Sequence, residues 1–147
     1  TSDKMNFLMI GDLTFFYDMN ALWNRYVGKN VRIMLNNNSG AALFHFNQGL
    51  NKYPTLNENV AAEHDAVAKG WAESRGIKYL SATNKEEFDK NLEEFLNPNS
   101  DTPILLEVFT KKEDDAKLQH EFYEYNLSEA DKLKKGLKTM IKKAIGR

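Results

Sequence analysis

Hydrophobic and polar positions along the chain alternate between two kinds of segment. Short, continuous apolar runs that end in polar turn residues are typical of strands buried on both faces of a sheet. Such runs occur at residues 6–10, 31–35, 77–81 and 104–109. Between them, apolar residues recur at helical spacing and predict helices at residues 14–26, 41–50, 60–74 and 83–96. The alternation predicts an α/β protein, a three-layer sandwich whose parallel sheet carries helices on both faces.

Charged segments follow the last predicted strand. Residues 111–125 predict an irregular helix, and Ser128 with Asp131 forms a capping-box pattern for a final helix. That amphipathic helix carries a stripe of Leu133, Leu137, Ile141 and Ile145 among lysines. We expect the stripe to dock on the domain, with the lysines in solvent, rather than to bind a membrane or a calmodulin-type partner. The chain thus divides into a binding domain at residues 1–110 and a charged connector with a docked helix at residues 111–147.

Composition and charge narrow the class of protein. The chain has 147 residues, of which 41% are hydrophobic and 28% charged, as expected for one globular domain. A net charge of −1 argues against a dedicated nucleic-acid-binding protein. The absence of cysteine excludes disulfides and is compatible with the reducing cytoplasm, where we expect the protein to act. No apolar run approaches a membrane span and the first residues lack a signal-peptide pattern, so we expect no membrane association.

The carboxyl ends of the predicted strands carry the candidate chemistry. Because right-handed crossovers bring these ends to one edge of a parallel sheet, the residues that follow the first two strands should lie close together. Gly11 and Asp12 follow the first strand, and Asn37, Asn38 and Ser39 follow the second. A carboxylate and neutral oxygens suit a hard divalent cation, and the amides at a helix start suit phosphate oxygens. The strand exits thus offer the groups that a diphosphate held through a divalent cation needs, although a Gly-Asp pair alone is more often an ordinary turn.

Two motifs together resemble those of the thiamin-diphosphate-dependent enzymes. The chain has GDLTFFYDMNAL after the first strand and VRIMLNNNSG at the second. The family carries a Gly-Asp-Gly or Gly-Asp-Leu turn after a strand, and then a hydrophobic strand that ends in Asn-Asn. The likeness extends over residues 5–110 and is closest to the menaquinone-biosynthesis branch. It implies part of the Rossmann-like thiamin-diphosphate-binding fold, with an upstream stretch expected before Thr1.

The resemblance also implies roles for individual residues. Asp12, the side chain of Asn37 and the backbone carbonyl of Ser39 would hold Mg²⁺ or Mn²⁺, with Asn38 and Gly40 as alternatives within the asparagine run. The implied cofactor-binding set is Gly11, Asp12, Leu13, Thr14, Asn37, Asn38 and Ser39, and the implied substrate-facing residues are Leu43 and Phe44. No catalytic residue is expected in this chain, because the glutamate that polarises the aminopyrimidine ring lies in a separate pyrimidine-binding domain, usually of a partner subunit.

The implied function is that of a transferase of the decarboxylating carboligase kind. Such an enzyme removes CO₂ from a 2-oxo acid and joins the resulting carbanion to an acceptor; in the menaquinone branch these are 2-oxoglutarate and isochorismate. The alternative within the family is another decarboxylase, or an enzyme like acetolactate synthase. The alternative of another class is a non-catalytic Mg²⁺-binding signalling or structural module. A receiver-type signalling domain, however, needs two acidic residues after its first strand, whereas here Asp12 is followed by Leu13. We expect the chain alone to be inactive.

Aromatic and histidine residues complete the expectations. The predicted helix at residues 14–26 carries Phe15, Phe16, Tyr17, Trp23 and Tyr26. Since consecutive residues on a helix point in different directions, not all of these rings can face inward. We therefore expect a symmetric homodimer, or at least an exposed aromatic surface on that helix. The histidines, which are His45, His64 and His120, lack metal-ligand spacing and are expected to be structural or solvated.

Overall fold

The sheet has four parallel strands, as predicted. The computed structural model describes residues 3–46, 49–50 and 52–144. Its strands are β1 Asn6–Gly11, β2 Val31–Asn37, β3 Lys78–Ala82 and β4 Ile104–Phe109. They are ordered β1-β2-β4-β3, and every neighbouring pair is parallel. β2 and β4 therefore form the centre of this sheet, and β1 and β3 are its edges.

Helices cover both faces of the sheet, which confirms the predicted α/β sandwich. They are α1 Asp12–Asp18, α2 Ala42–Phe46, α3 Leu56–Asn59, α4 Lys69–Ser74, α5 Lys85–Leu96, α6 Lys112–Tyr125 and α7 Glu129–Ala144, with a 3₁₀ turn at Met19–Trp23 after α1. Phe15 of α1 packs with Ile33 of β2 in one buried cluster. Phe95 of α5 packs with Leu106 of β4 in a second cluster, on the opposite face.

The segment at residues 60–74 is helical only in its last part, so the helix predicted there is wrong for residues 60–68. Ala62 adopts a left-handed backbone with a φ of 49°, which a continuous right-handed helix does not allow. The chain then runs along the carboxyl edge of the sheet, where the carbonyl of Ala66 accepts a hydrogen bond from Asn37. α1 and α2 are also shorter than predicted, and residues 47 and 48 of the predicted 41–50 helix lie outside the described residues.

β1 is more exposed than its apolar sequence predicts. The pattern predicted a strand buried on both faces, yet Phe7 is 54%, Leu8 47% and Met9 78% exposed. The reason is its position, because β1 is an edge strand that pairs with β2 alone. The prediction of a fully buried strand is therefore wrong within the described part of the chain.

α7 leaves its apolar stripe in solvent. Leu133 is 68%, Leu137 61% and Ile141 56% exposed, while Ile145 lies outside the described residues. Among the described residues, the expected docking of this stripe is therefore not found, and Lys135 of α7 instead forms an ion pair with Glu124 of α6. The division of the chain at residue 110 stays a prediction. Among the described residues, no helix is long and apolar enough to cross a membrane.

A buried arginine links β2 to the end of α5. Arg32 has no exposed surface. Its Nε donates to the carbonyl of Phe95 at 2.7 Å and its Nη2 donates to the carbonyl of Asn97 at 2.6 Å, which are carbonyls that the helix end leaves without intrahelical partners. Its Nη1 donates to the carbonyl of Lys29 at 2.7 Å. Burial lowers the pKa of Arg32, but a guanidinium stays protonated in proteins, so it remains a donor.

We expect Arg32→Met to lower the free energy of unfolding by roughly 3 kcal/mol, because the carbonyls of Lys29, Phe95 and Asn97 lose their donor while the side-chain volume is retained. Urea denaturation followed by circular dichroism measures the change. The exposed Arg25, replaced in the same way, is the matched control. Equal stability of the two variants would contradict a structural role for the Arg32 guanidinium.

Candidate metal and cofactor site

The predicted site residues meet at one edge of the sheet. In the parallel register of β1 and β2, Gly11 lies opposite Asn36. The next residue of each strand exit, Asp12 and Asn37, therefore lies at the same carboxyl edge. Both side chains are almost completely buried, at 3% and 2% exposure. The structure thus brings together the two strand exits, as the sequence predicted.

The carboxylate of Asp12 holds the turn that follows β2. Its Oδ2 accepts hydrogen bonds from the N–H groups of Asn38 at 3.1 Å and Gly40 at 2.9 Å. Its Oδ1 accepts one from the N–H of Leu13 at 2.7 Å. Two carboxylate oxygens offer about four lone-pair directions in all, so coordination of a cation is compatible with these bonds.

The turn itself has an unusual backbone. Ser39 has a φ of 61° and Gly40 a φ of 138°. The left-handed region is uncommon for a residue other than glycine, and such residues are concentrated at ligand sites. The turn is held from its other side as well, because the N–H of Ala41 donates to the carbonyl of Ala61 at 2.8 Å. Ser39, whose carbonyl the resemblance implies as a ligand, is therefore the strained residue of a firmly held turn.

The side-chain amide of Asn37 has a defined orientation. Its Nδ2 donates to the carbonyl of Ala66 at 2.9 Å and to Oε1 of Glu107 at 2.7 Å. Its Oδ1 accepts from the N–H of Ser39 at 3.2 Å. Since the hydrogen-bond network decides which end of an asparagine amide is oxygen, Oδ1 faces the turn and Nδ2 faces the interior.

Glu107 is a residue that sequence reasoning missed. It lies at the centre of β4 with no exposed surface. Its Oε2 accepts from the hydroxyl of Tyr79 at 2.7 Å and from the N–H of Ala68 at 3.1 Å, while Oε1 accepts from Asn37. Burial first, and then the hydrogen bond to Glu107, raise the pKa of the Tyr79 hydroxyl, so at neutral pH it is a donor. The sequence did hold a sign of this site, because a lone carboxylate inside an apolar strand needs buried donors.

His64 lies closer to the site than the sequence indicated. The sequence predicts a structural or solvated role for it. Its Nε2 lies 3.2 Å from Oδ2 of Asp12, and its ring packs edge-to-face on Phe16. Its Nδ1 accepts the N–H of Ala66 at 3.1 Å, which leaves the proton of a neutral ring on Nε2. These contacts are compatible with the predicted structural role of His64, but they place the ring beside Asp12 at the candidate site.

The chemistry of these groups fits a hard divalent cation beside a phosphate. The donor set combines one carboxylate with amide and backbone carbonyl oxygens, which are ligands that Mg²⁺ and Mn²⁺ accept. Oδ1 of Asn38 is buried and has no hydrogen-bond partner among the described residues. A Cβ added to Gly11 would meet no atom within 4 Å, so space is open beside the aspartate. In the described part of the chain, no three His, Cys, Asp or Glu side chains are grouped to hold a metal ion by themselves.

The remaining predicted residues lie near the starts of two helices. Leu13 is half-buried and Thr14 is exposed, both in the first turn of α1. Leu43 is exposed and Phe44 is half-buried at the start of α2. The last two line an open cleft of about 590 Å³, together with Phe46, His120, Tyr123, Glu124 and Lys135. The cleft joins apolar and aromatic walls to charged groups of α6 and α7.

Comparison with known proteins yields a consistent set of relatives. No family model matches the chain. Its relatives include proteins named 2-succinyl-5-enolpyruvyl-6-hydroxy-3-cyclohexene-1-carboxylate synthase. That of Phocaeicola vulgatus is 50% identical over 123 residues, that of Bacteroides fragilis 46% identical over 123 residues, and that of Flavobacterium johnsoniae 37% identical over 124 residues.

The extent of these matches defines what they say about the chain. Each covers 83% or 84% of this chain and 22% of the relative, so the chain spans about a fifth of the length of the curated relatives it matches. The similarity confirms the resemblance drawn from the Gly-Asp-Leu and Asn-Asn motifs. Over that length, the chain is similar to the 2-succinyl-5-enolpyruvyl-6-hydroxy-3-cyclohexene-1-carboxylate synthases, the branch that its two motifs resemble.

Proposed function

We propose that this chain binds the diphosphate of thiamin diphosphate through Mg²⁺ or Mn²⁺, as part of a larger enzyme that decarboxylates a 2-oxo acid and joins the product to an acceptor. The observation that carries the proposal is the convergence of two strand exits. Asp12 accepts hydrogen bonds from the N–H groups of Asn38 and Gly40 in the turn after β2, and Oδ1 of Asn37 faces the same turn. One carboxylate and one amide oxygen thereby flank a single strained turn.

Each group has a proposed task. The carboxylate of Asp12, Oδ1 of Asn37 and the carbonyl of Ser39 hold the cation. Asn38, whose buried Oδ1 has no hydrogen-bond partner within the described parts of the chain, lines the same site. The open space at Gly11 admits a phosphate, with Leu13 and Thr14 beside it. Thiamin diphosphate, when bound, supplies the thiazolium that stabilises the carbanion. The residues of this chain bind and orient, and none of them is proposed as a proton-transfer group.

For substrates, we propose 2-oxoglutarate as donor and isochorismate as acceptor. The proposal rests on relatives at 46% and 50% identity whose names specify the 2-succinyl product. Leu43 and Phe44, which line the cleft between α2 and α6, are the proposed substrate-facing residues. Another thiamin-diphosphate-dependent decarboxylase, such as one like acetolactate synthase, would use the same metal site with a different cleft. A non-catalytic Mg²⁺-binding module is the alternative of another class.

The proposed partners are the pyrimidine-binding domain of the same enzyme and a second copy of it, in the cytoplasm. Exposed apolar surface supports contacts of this kind. Of the aromatic residues predicted to form an exposed surface, Tyr17 of α1 is 79% exposed, Trp23 at the end of the 3₁₀ turn 73% and Tyr26 beyond that turn 76%, whereas Phe15 is buried. β1 adds a second apolar surface. The homodimer stays a prediction, which light scattering over a concentration series measures.

A calorimetric titration of the complete enzyme with thiamin diphosphate, with and without Mg²⁺, tests the proposal. We expect binding that requires the cation, because the diphosphate is held through it. A steady-state assay then compares 2-oxoglutarate with pyruvate as donor, each in the presence of isochorismate. The 147-residue chain, assayed alone as the control, should show no turnover. Cation-independent binding, or turnover by this chain alone, would contradict the proposal.

A further inference from the structure

A buried carboxylate lies directly behind the proposed cation site. Glu107 is completely buried on β4, the central strand next to β2. Its partners come from separate elements: Asn37 of β2, Tyr79 of β3 and the N–H of Ala68 ahead of α4. Every one of these partners is a donor. Glu107 is therefore an acceptor that the fold holds in place from several sides.

This arrangement decides the orientation of the Asn37 amide. The two ends of an asparagine side chain are almost equal in size, so packing alone does not distinguish them. Nδ2 lies 2.9 Å from the carbonyl oxygen of Ala66 and 2.7 Å from Oε1 of Glu107. If the amide were rotated by half a turn, its oxygen would face two acceptors and its NH₂ group would face the turn. A donor there would repel a cation.

We propose that Glu107 is a positioning residue for the cation, which holds the Asn37 amide so that Oδ1 is presented to the turn at Ser39. This inference rests on the proposed function, because it assumes that Oδ1 of Asn37 is a ligand. It assigns to Glu107 no contact with cation, cofactor or substrate. Metal ligands are commonly oriented by such outer partners, whose loss typically weakens metal binding by about 10–100-fold.

A purely structural role for Glu107 makes a different prediction. The neighbouring residues of β4, Leu105 and Leu106, fill the core without hydrogen bonds from their side chains. If Glu107 served only stability, loss of any of its donors would act on folding alone. Tyr79 supplies the comparison, because its hydroxyl binds Oε2 on the side away from Asn37. Tyr79→Phe therefore removes one hydrogen bond to Glu107, while the hydrogen bond from Asn37 to Glu107 remains.

The experiment measures Mn²⁺ affinity in the complete enzyme, from the electron paramagnetic resonance of free Mn²⁺ in the presence of thiamin diphosphate. It compares the wild type, Glu107→Gln and Tyr79→Phe at a temperature at which circular dichroism reports all three as folded. We expect Glu107→Gln to lose about 10–100-fold in Mn²⁺ affinity, because its own NH₂ group lets the Asn37 amide turn round. Tyr79→Phe should bind Mn²⁺ as the wild type does.

A compensating pair keeps the test decisive if Glu107→Gln fails to fold. Asn37→Asp alone sets two carboxylates against each other, whereas Asn37→Asp with Glu107→Gln restores a donor and an acceptor in reversed places. We expect the double variant to bind Mn²⁺ more tightly than Asn37→Asp alone. Wild-type affinity in a folded Glu107→Gln, or no gain in the double variant, would overturn the positioning role alone. A wild type that fails to bind Mn²⁺ would overturn the proposed function together with this inference.

Discussion

Asp12→Asn should weaken the cation-dependent binding of thiamin diphosphate by about 100-fold or more. The change removes the one negative charge among the proposed ligands, and a carboxylate is worth far more to a hard cation than an amide. It also turns one acceptor oxygen into an NH₂ group near the N–H donors of Asn38 and Gly40. A 100-fold loss corresponds to about 2.7 kcal/mol, a reasonable sum for a lost charge and a disturbed turn. Isothermal titration calorimetry of the complete enzyme measures the effect.

The matched control for this variant is Asp18→Asn. Asp18 is an exposed carboxylate at the end of the same helix, so the change in net charge is equal and the location differs. We expect it to leave the affinity unchanged. If both variants bind alike, the carboxylate of Asp12 serves the turn and not a cation. Urea denaturation without cation separates the two roles, because a turn-holding carboxylate lowers stability when it is lost even where no metal is present.

The sheet and the edge that carries the candidate site were predictable because both follow from the local sequence pattern. β4 begins and ends at the predicted residues, 104 and 109. Continuous apolar runs fix the strands, and parallel pairing then places every strand exit at one edge. The meeting of Asp12 with the turn at Asn38 needs no more information than that.

The contacts of Glu107 and His64 were not predictable in this way, because they join distant parts of the chain. Glu107 meets Asn37 across 70 positions, Ala68 across 39 and Tyr79 across 28. The run ILLEVF indicates that Glu107 is a buried acceptor, but it does not indicate which donors bind to it. His64, which lies beside Asp12, follows Ala62 by two positions, and alanine carries no preference for the left-handed conformation that Ala62 adopts.

β1 illustrates a different limit of the sequence pattern. An apolar run indicates that a strand is suited to burial, but it does not indicate which element covers it. Phe7 contacts the ring of Phe95, with centroids 6.0 Å apart, and is still 54% exposed. The same holds for the stripe of α7, whose helical spacing was predicted and whose docking was not found. Periodicity therefore predicts the element and its apolar face better than it predicts the partner of that face.

Gly40→Ala should be among the most destabilising single changes in the chain, at about 3 kcal/mol or more. Gly40 has a φ of 138°, which side-chain-bearing residues rarely adopt, and an added Cβ would lie 2.5 Å from the carbonyl oxygen of Ala61. Because that oxygen belongs to the backbone, it has no rotamer by which to move away. The turn must therefore shift, which breaks the hydrogen bond from the N–H of residue 40 to Asp12. Urea denaturation measures the loss.

Gly11→Ala is the informative counterpart, because it separates strain within the protein from obstruction of a ligand. Gly11 has an extended backbone, with φ −83° and ψ 162°, and an added Cβ meets no atom within 4 Å. We expect stability to change by less than about 0.5 kcal/mol, as for an unhindered surface position. If a phosphate occupies the space beside Asp12, the same methyl group must nevertheless weaken thiamin diphosphate binding. A Gly40→Ala variant that unfolds at the wild-type urea concentration would contradict the steric argument. A Gly11→Ala variant that binds thiamin diphosphate as tightly as the wild type would contradict the position proposed for the diphosphate.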